Sequence, residues 1–207
     1  MQALMLAAGM GRRLGKFTNN NTKCMVEVAG EKLIDRAIDA IKMAGIKKFI
    51  LAIGYEGANL QNYVLDKYSD CGIEFVFIDN KDYATSNNIY SFYIAKEYLE
   101  QDDTVMLESD LIYDKSIIKK VVESKDKDIA VVAKYESWMD GTVVTCDEER
   151  NIVEFIEKTD MDLNLSEKYY KTVNIYKFSP EFEGTYIPFL EAYMKAYGLN
   201  SYIMKLS

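Results

Sequence analysis

The sequence contains no histidine, and that absence restricts its chemistry at once. Ser-His-Asp and Cys-His catalysis are excluded, as are zinc sites built on imidazole. Any nucleophile in this protein has to be activated in another way. Cysteine is scarce too: Cys24, Cys71 and Cys146 are odd in number and show neither C-x-x-C nor zinc-like spacing. They read as structural thiols in a reducing compartment. No apolar run approaches the ~20 residues that span a bilayer, and Met1–Gly9 has neither the basic start nor the length of a signal peptide. The expectation is a cytoplasmic protein with no membrane insertion. Positive charge is also in deficit, with 25 Lys and Arg against 33 Asp and Glu and a net charge of −8. A chain of that sign lacks the basic face that nucleic acid or an anionic membrane needs. An anionic ligand must therefore be small and met locally.

What is present suits a single soluble globule. The 207 residues are 49% hydrophobic and 13% aromatic, enough to bury one sizeable core. Short apolar runs predict strands at Gln2–Ala7, Lys48–Ile53, Ile73–Ile78, Thr104–Leu107 and Asp128–Ala133. Amphipathic segments between them predict helices over Lys32–Ala44, Gly57–Tyr68, Ser86–Glu100 and around Lys115–Ser124, with Ser86 and Asn87 as cap candidates. This β-α-β-α rhythm implies a mainly parallel sheet with helices on both faces, whose ligand sits beyond the carboxyl ends of the strands. After about residue 135 the rhythm changes: Gly141–Cys146, Ile152–Ile156 and Thr172–Phe178 look like strands without helices between them, as in a small antiparallel flap. Pro180–Tyr197 has helical composition, with a break or kink expected near Ile187 ahead of Pro188.

The first strand runs into Leu6-Ala7-Ala8-Gly9-Met10-Gly11-Arg12-Arg13-Leu14, where small residues let backbone N–H groups approach an anion. A dinucleotide loop would carry a third glycine where Leu14 stands. Here a polar stretch leads instead to Lys23, so fixed cations follow the glycines, which suits a triphosphate. Together with Thr18, Lys23 and Gly30, this segment resembles the signature of the nucleotidyltransferases that activate sugar phosphates and phosphocholine. The likeness is greatest to cytidylyltransferases acting on phosphocholine and 2-aminoethylphosphonate. Gly54-Tyr55, Asn87-Asn88-Ile89-Tyr90-Ser91, Glu108-Ser109-Asp110 and Glu157-Lys158 extend it over roughly residues 1–200. Two departures are Thr22 in place of the family's proline before Lys23, and Lys16 where another proline is expected. Relatives also continue past a C-terminal helix to an acidic stretch that supplies a second metal carboxylate. This sequence stops at Ser207 without one, and the expectation is a truncated domain, a fusion to a further domain, or a homo-oligomer.

The resemblance implies a Rossmann-like α/β fold of the nucleotide-diphospho-sugar transferase type in one domain, 1–207. Within it, 1–134 would form the nucleotide-binding core and 135–207 the acceptor-binding flap and C-terminal helix. It also implies transfer of a nucleotidyl group, from CTP in the favoured reading, to a small phosphate or phosphonate with release of pyrophosphate. An ionised phosphate oxygen needs no general base, which agrees with the missing histidines. The demand is instead to align two polyanions and neutralise their charge.

Carried over residue by residue, Arg13 would hold the β- and γ-phosphates, and Lys23 the α-phosphate or the acceptor phosphate. Asp110 would hold Mg²⁺, with Glu108 either assisting or structural. Ala7, Ala8, Gly9, Gly11, Gly54 and Tyr55 would border base and ribose, and Asn87 and Asn88 would read a pyrimidine edge or cap a helix. Lys158 would reach the acceptor phosphate. Trp138, Asp140, Tyr90 and Tyr176 would offer aromatic and acidic groups to a cationic headgroup, unless they only pack. Two alternatives stay open: a sugar-1-phosphate nucleotidyltransferase, and a nucleotide-binding module that lacks its last metal ligand.

Overall fold

The computed structural model describes residues 1–200; residues 201–207, the end of the expected 135–207 segment, lie outside the described residues. Strand β1 (Gln2–Ala7) is buried along its whole length, and apolar residues on both its faces suit it to the middle of a parallel sheet. A small antiparallel ribbon, β2 (Glu27–Val28) and β3 (Glu31–Lys32), precedes helix α1 (Leu33–Met43). The alternation then proceeds through β4 (Lys48–Ile53), α2 (Gly57–Tyr68), β5 (Glu74–Asp79), α3 (Asn88–Tyr93), α4 (Lys96–Leu99), β6 (Thr104–Glu108) and α5 (Ser116–Glu123). β4 and β6 pair in parallel with the two edges of β1, and β5 pairs in parallel with β4. The register sets Ala7 opposite Ile53 and Leu6 opposite Glu108, so the carboxyl ends of β1, β4 and β6 finish side by side.

The remaining strands are β7 (Ile129–Lys134), β8 (Val143–Cys146), β9 (Ile152–Ile156) and β10 (Tyr170–Phe178), followed by α6 (Pro180–Tyr197). β10 is antiparallel to β6, β7 and β8, and so carries strands of both parts of the chain into one eight-stranded sheet. Of the flap expected from three strands, the structure forms the β8–β9 hairpin, attached through Tyr170 and Lys171, whereas the third, Thr172–Phe178, is part of β10 and runs in the main sheet against β6 and β7. The β10–β7 register shifts between Thr172 and Tyr176, where Asn174 has a left-handed φ of 58°. The α/β class, the mainly parallel sheet and the small antiparallel elements all agree with the sequence.

Side chains alternate across the sheet and split the core in two. Ala3, Met5 and Ala7 of β1 pack with α1, α2 and α5, whereas Leu4 and Leu6 face α3, α4 and α6. Two expectations about the helices also fail. The helix foreseen over Ser86–Glu100 is two short helices, because Ala95, with φ −89° and ψ 0°, tightens the turn between them. No break occurs at Pro188, since α6 runs unbroken over 18 residues. The carbonyl that Pro188 leaves without a donor is that of Gly184, four residues earlier. Both residues are exposed, so water can satisfy it and the core face of the helix is undisturbed.

Candidate active site

A cleft opens where the carboxyl ends of β1 and β6 and the loop after β5 meet the start of α3. It is a small, open cleft with a volume of about 90 Å³. Its wall includes Ala8 and Gly9 after β1, Asn87 and Asn88 at the start of α3, Glu108 and Ser109 at the end of β6, and Lys23. Segments remote in sequence thus converge because the register brings Leu6 level with Glu108.

Each lining group is held locally. Gly11 takes φ +62°, and a Cβ there would meet Lys23 Cγ and Thr18 Cγ2, each at 2.8 Å; glycine therefore lets the lysine stem pass under the loop. The Thr18 hydroxyl donates to the Gly11 carbonyl at 3.0 Å and to that of Gly15 at 3.2 Å, which curls Arg12–Thr18 into tight turns. Thr22, where the family has proline, is fully buried with its hydroxyl 3.0 Å from Cys24 Sγ. Burial pushes the Cys24 thiol up to about 11, which agrees with a structural thiol.

The Lys23 ammonium then donates to Asp110 Oδ2 at 2.9 Å. On the other wall, Asn87 Oδ1 accepts from the Asn88 N–H as a helix cap at 2.8 Å, and the Asn88 amide donates to Glu108 Oε1 at 3.0 Å. Burial pushes the Glu108 carboxyl up. The Asn88 bond opposes that shift, the Asp110 charge adds to it, and Lys23 opposes it.

Sequence reasoning missed Asn80. Its side chain is 1% exposed, its amide donates to Ser86 at 3.1 Å and Ser91 at 3.0 Å, and its carbonyl accepts from the Asp82 N–H at 3.0 Å. That single residue ties the loop after β5 to α3 and so shapes the wall that Asn87 and Asn88 present. Tyr83, Ser86, Ser91 and Ser109 also line the cleft. The available signal was positional: Asn80 directly follows a parallel strand at its carboxyl end.

Gly54 contributes by absence. A Cβ there would stand 2.7 Å from Tyr83 Cβ and 2.9 Å from the Ala8 carbonyl oxygen, which accepts from the Tyr55 N–H at 3.0 Å. Ala7 is buried at the end of β1, and the Tyr55 ring lies 6.2 Å from that of Tyr83. Arg13 is exposed on the turns after Gly11 and does not line the cleft.

Trp138, Asp140, Lys158, Tyr90 and Tyr176 do not line this cleft. Lys158 donates to Asp140 at 2.7 Å, with both side chains exposed, and Lys158 holds the Asp140 carboxyl below its ordinary range. Trp138, 74% exposed, donates from its indole to Glu136 at 2.9 Å. Tyr90 is half-buried, whereas Tyr176 is buried and its hydroxyl is pushed up to about 12, chiefly by burial and further by the Glu108 charge.

Two carboxylates at the end of β6, Glu108 and Asp110, offer oxygen ligands beside a place for phosphates. No group of three or more acidic, cysteine or histidine side chains forms a cage for a metal among the described residues. Mg²⁺ needs none, since it is commonly held by one or two carboxylates together with substrate phosphates. The donor set therefore fits such an ion.

A mainly parallel α/β sheet with a polar cleft at the carboxyl ends of its strands, where Lys23 meets Glu108 and Asp110, defines an α/β protein with a place for a small ligand. Comparison narrows this: the nucleotidyl transferase family profile matches residues 2–196, and the chain belongs to that family. Proteins of the family generally use divalent metal ions. The chain is 37% identical over 143 residues to the CTP:phosphoglutamine cytidylyltransferase of Campylobacter jejuni, a match covering 67% of this chain and 54% of the relative. It is 40% identical over 99 residues to the choline-phosphate cytidylyltransferase of Streptococcus pneumoniae, covering 48% of this chain and 41% of that protein. The chain thus spans about half the length of these relatives. The solved CTP:phosphocholine cytidylyltransferase of S. pneumoniae superposes with a TM-score of 0.77 at 22% identity, over 99% of this chain and 82% of that one, which shows the shared fold. No helix among the described residues is long and apolar enough to cross a membrane.

Proposed function

We propose that this protein is a CTP-dependent cytidylyltransferase that joins CMP to a small phosphate- or phosphonate-bearing metabolite of the phosphocholine or 2-aminoethylphosphonate type. The observation that carries the reading is the Lys23–Asp110 pair beside a cleft walled by Ala8, Gly9 and Asn88, in a chain whose relatives are named for cytidylyl transfer. Residues 1–134 would bind the nucleotide and 135–207 the acceptor, in the cytoplasm.

An ionised acceptor oxygen attacks the α-phosphorus, and the bond from that phosphorus to the bridging oxygen breaks. Pyrophosphate departs with the electron pair, so no proton has to move. Lys23 neutralises the α-phosphate or the incoming phosphate, and Arg13, on its exposed turn, reaches the departing β- and γ-phosphates. Asp110, with Glu108 beside it, would hold Mg²⁺, which when bound screens charge on the phosphate oxygens. Two like charges ~4 Å apart cost on the order of 4 kcal/mol at an effective dielectric near 20, so the placement of these cations decides the rate. The small glycine-rich contact surface at Ala7, Ala8, Gly9 and Gly54 would receive base and ribose, with Asn87 and Asn88 toward the pyrimidine edge.

The test offers each of the four nucleoside triphosphates with Mg²⁺ to phosphocholine, 2-aminoethylphosphonate, glycerol phosphate and a hexose-1-phosphate, following pyrophosphate release. Turnover confined to CTP and a small phosphate or phosphonate is expected. Turnover only with the hexose-1-phosphate, or none with any pair, would overturn the proposal.

A further inference from the structure

We infer that the Lys23 ammonium is the resident counterion of Asp110 in the ligand-free protein, competing with the divalent cation for that carboxylate until a phosphate draws the lysine away. The inference rests on the proposed reading of Asp110 as the metal carboxylate, and it adds an order to the way ligands enter.

Three observations carry it. The Lys23 nitrogen lies 2.9 Å from Asp110 Oδ2, a direct ion pair across 87 residues of sequence. The lysine stem cannot wander far: it is packed against Gly11 at a position where even one added carbon would meet Lys23 Cγ at 2.8 Å, and the neighbouring Thr22 is fully buried. The pair nevertheless remains within reach of solvent, with side-chain exposures of 24% for Lys23 and 39% for Asp110. A partly exposed pair of this kind is weak enough to be opened by a ligand yet still screens the carboxylate from a second cation. Its neighbour Glu108 can assist at the cation but not replace Asp110, because it is buried and one of its oxygens already accepts from Asn88.

A divalent cation alone must displace Lys23 and then sit beside the repelled ammonium. A nucleotide supplies phosphate oxygens to which Lys23 can turn, and so releases Asp110. Cation and nucleotide are then positively coupled through one side chain, and by linkage each favours the other to the same degree.

The test is Mn²⁺ binding to the nucleotide-free protein, followed by electron paramagnetic resonance of the free ion. Lys23→Met removes the competitor and is expected to tighten Mn²⁺ binding about five- to tenfold, although the same change lowers turnover. Lys23→Gln should shift affinity in the same direction. Lys127→Met, which removes an equal charge from a surface pair with Glu181 (3.1 Å), should change Mn²⁺ affinity by less than about twofold. If Lys23→Met and Lys23→Gln bind Mn²⁺ no more tightly than Lys127→Met, the inference is overturned and Asp110 can still be the metal ligand. If Asp110→Asn binds Mn²⁺ as well as the unaltered protein, the underlying assignment of Asp110 fails, and the inference with it. Thermal melting of each variant confirms that affinities are compared between folded proteins.

Discussion

Glu183 offers a test of the packing that depends on the same missing histidines. Its side chain, on the first turns of α6, is 0% exposed, and neither carboxyl oxygen has a hydrogen-bond partner. Burial, followed by the charges of Asp128 and Glu100, pushes its pKa from 4.5 to about 8; Tyr186 is the other titratable group coupled to it. The folded protein therefore holds Glu183 protonated, whereas the unfolded chain ionises it near its ordinary value. Between about pH 4.5 and 8 the native state binds one more proton than the unfolded state, so stability falls as pH rises through that window. It is fully retained below the unfolded value and levels off above the folded one. With 1.36 kcal/mol per pH unit, the loss is on the order of 3 kcal/mol at pH 7. The chain has no histidine and Cys24 titrates far above that range, but burial also pushes Glu108 up, so Glu108 adds a pH dependence of the same sign that wild type and variant share. Glu183→Gln keeps the shape and removes the proton. Urea denaturation from pH 5 to 8.5 should show the wild-type free energy declining more steeply than that of the variant, with the curves together near pH 5 and separated by a few kcal/mol at pH 8. Equal slopes in the two proteins would refute the assignment of a buried, neutral carboxyl.

Three further outcomes follow from the site. Lys23→Ala should lower kcat/KM with CTP by about 10²- to 10³-fold, as expected for removal of a cation from a phosphoryl-transfer site, whereas Lys16→Ala should change it by less than about threefold; steady-state pyrophosphate release separates them. Gly54→Ala forces a carbon to 2.7 Å from Tyr83 Cβ and should cost about 1–3 kcal/mol in denaturant unfolding while raising KM for the nucleotide. Asn80→Ala removes the amide that bridges Ser86 and Ser91 and should cost about 2 kcal/mol, with KM for the nucleotide rising more than kcat falls.

The parallel half of the fold was legible because β1, β4, β5 and β6 are short apolar runs separated by helices with one apolar face, and each such unit can be read within about 30 residues. The position of β10 was not. Its pairing with β6 and β7 and its irregularity at Asn174 depend on contacts that no local pattern encodes. Pro188 misled for a related reason: the carbonyl it frees is that of exposed Gly184, which water can reach, and the helix continues across it. At the site, Lys23, Asp110, Asn88 and Glu108 converge because β1 and β6 end level, so a motif at residues 6–23 and another at 108–110 could be joined from sequence. Asn80 carries no motif of its own, and only the folded loop shows its two serine partners. Trp138, Asp140 and Lys158 are exposed on the flap, where aromatic and charged residues are common whatever their role.

Attack of the acceptor oxygen on the α-phosphorus is the central claim, and isotope transfer tests it most directly. An acceptor that supports turnover, labelled with ¹⁸O in its phosphate or phosphonate oxygens, is incubated with CTP and Mg²⁺, and the products are weighed by mass spectrometry. Every labelled oxygen should appear in the CMP-linked product, with unlabelled pyrophosphate. Label in the pyrophosphate, or no CMP-linked product from any acceptor of the panel, would contradict the account.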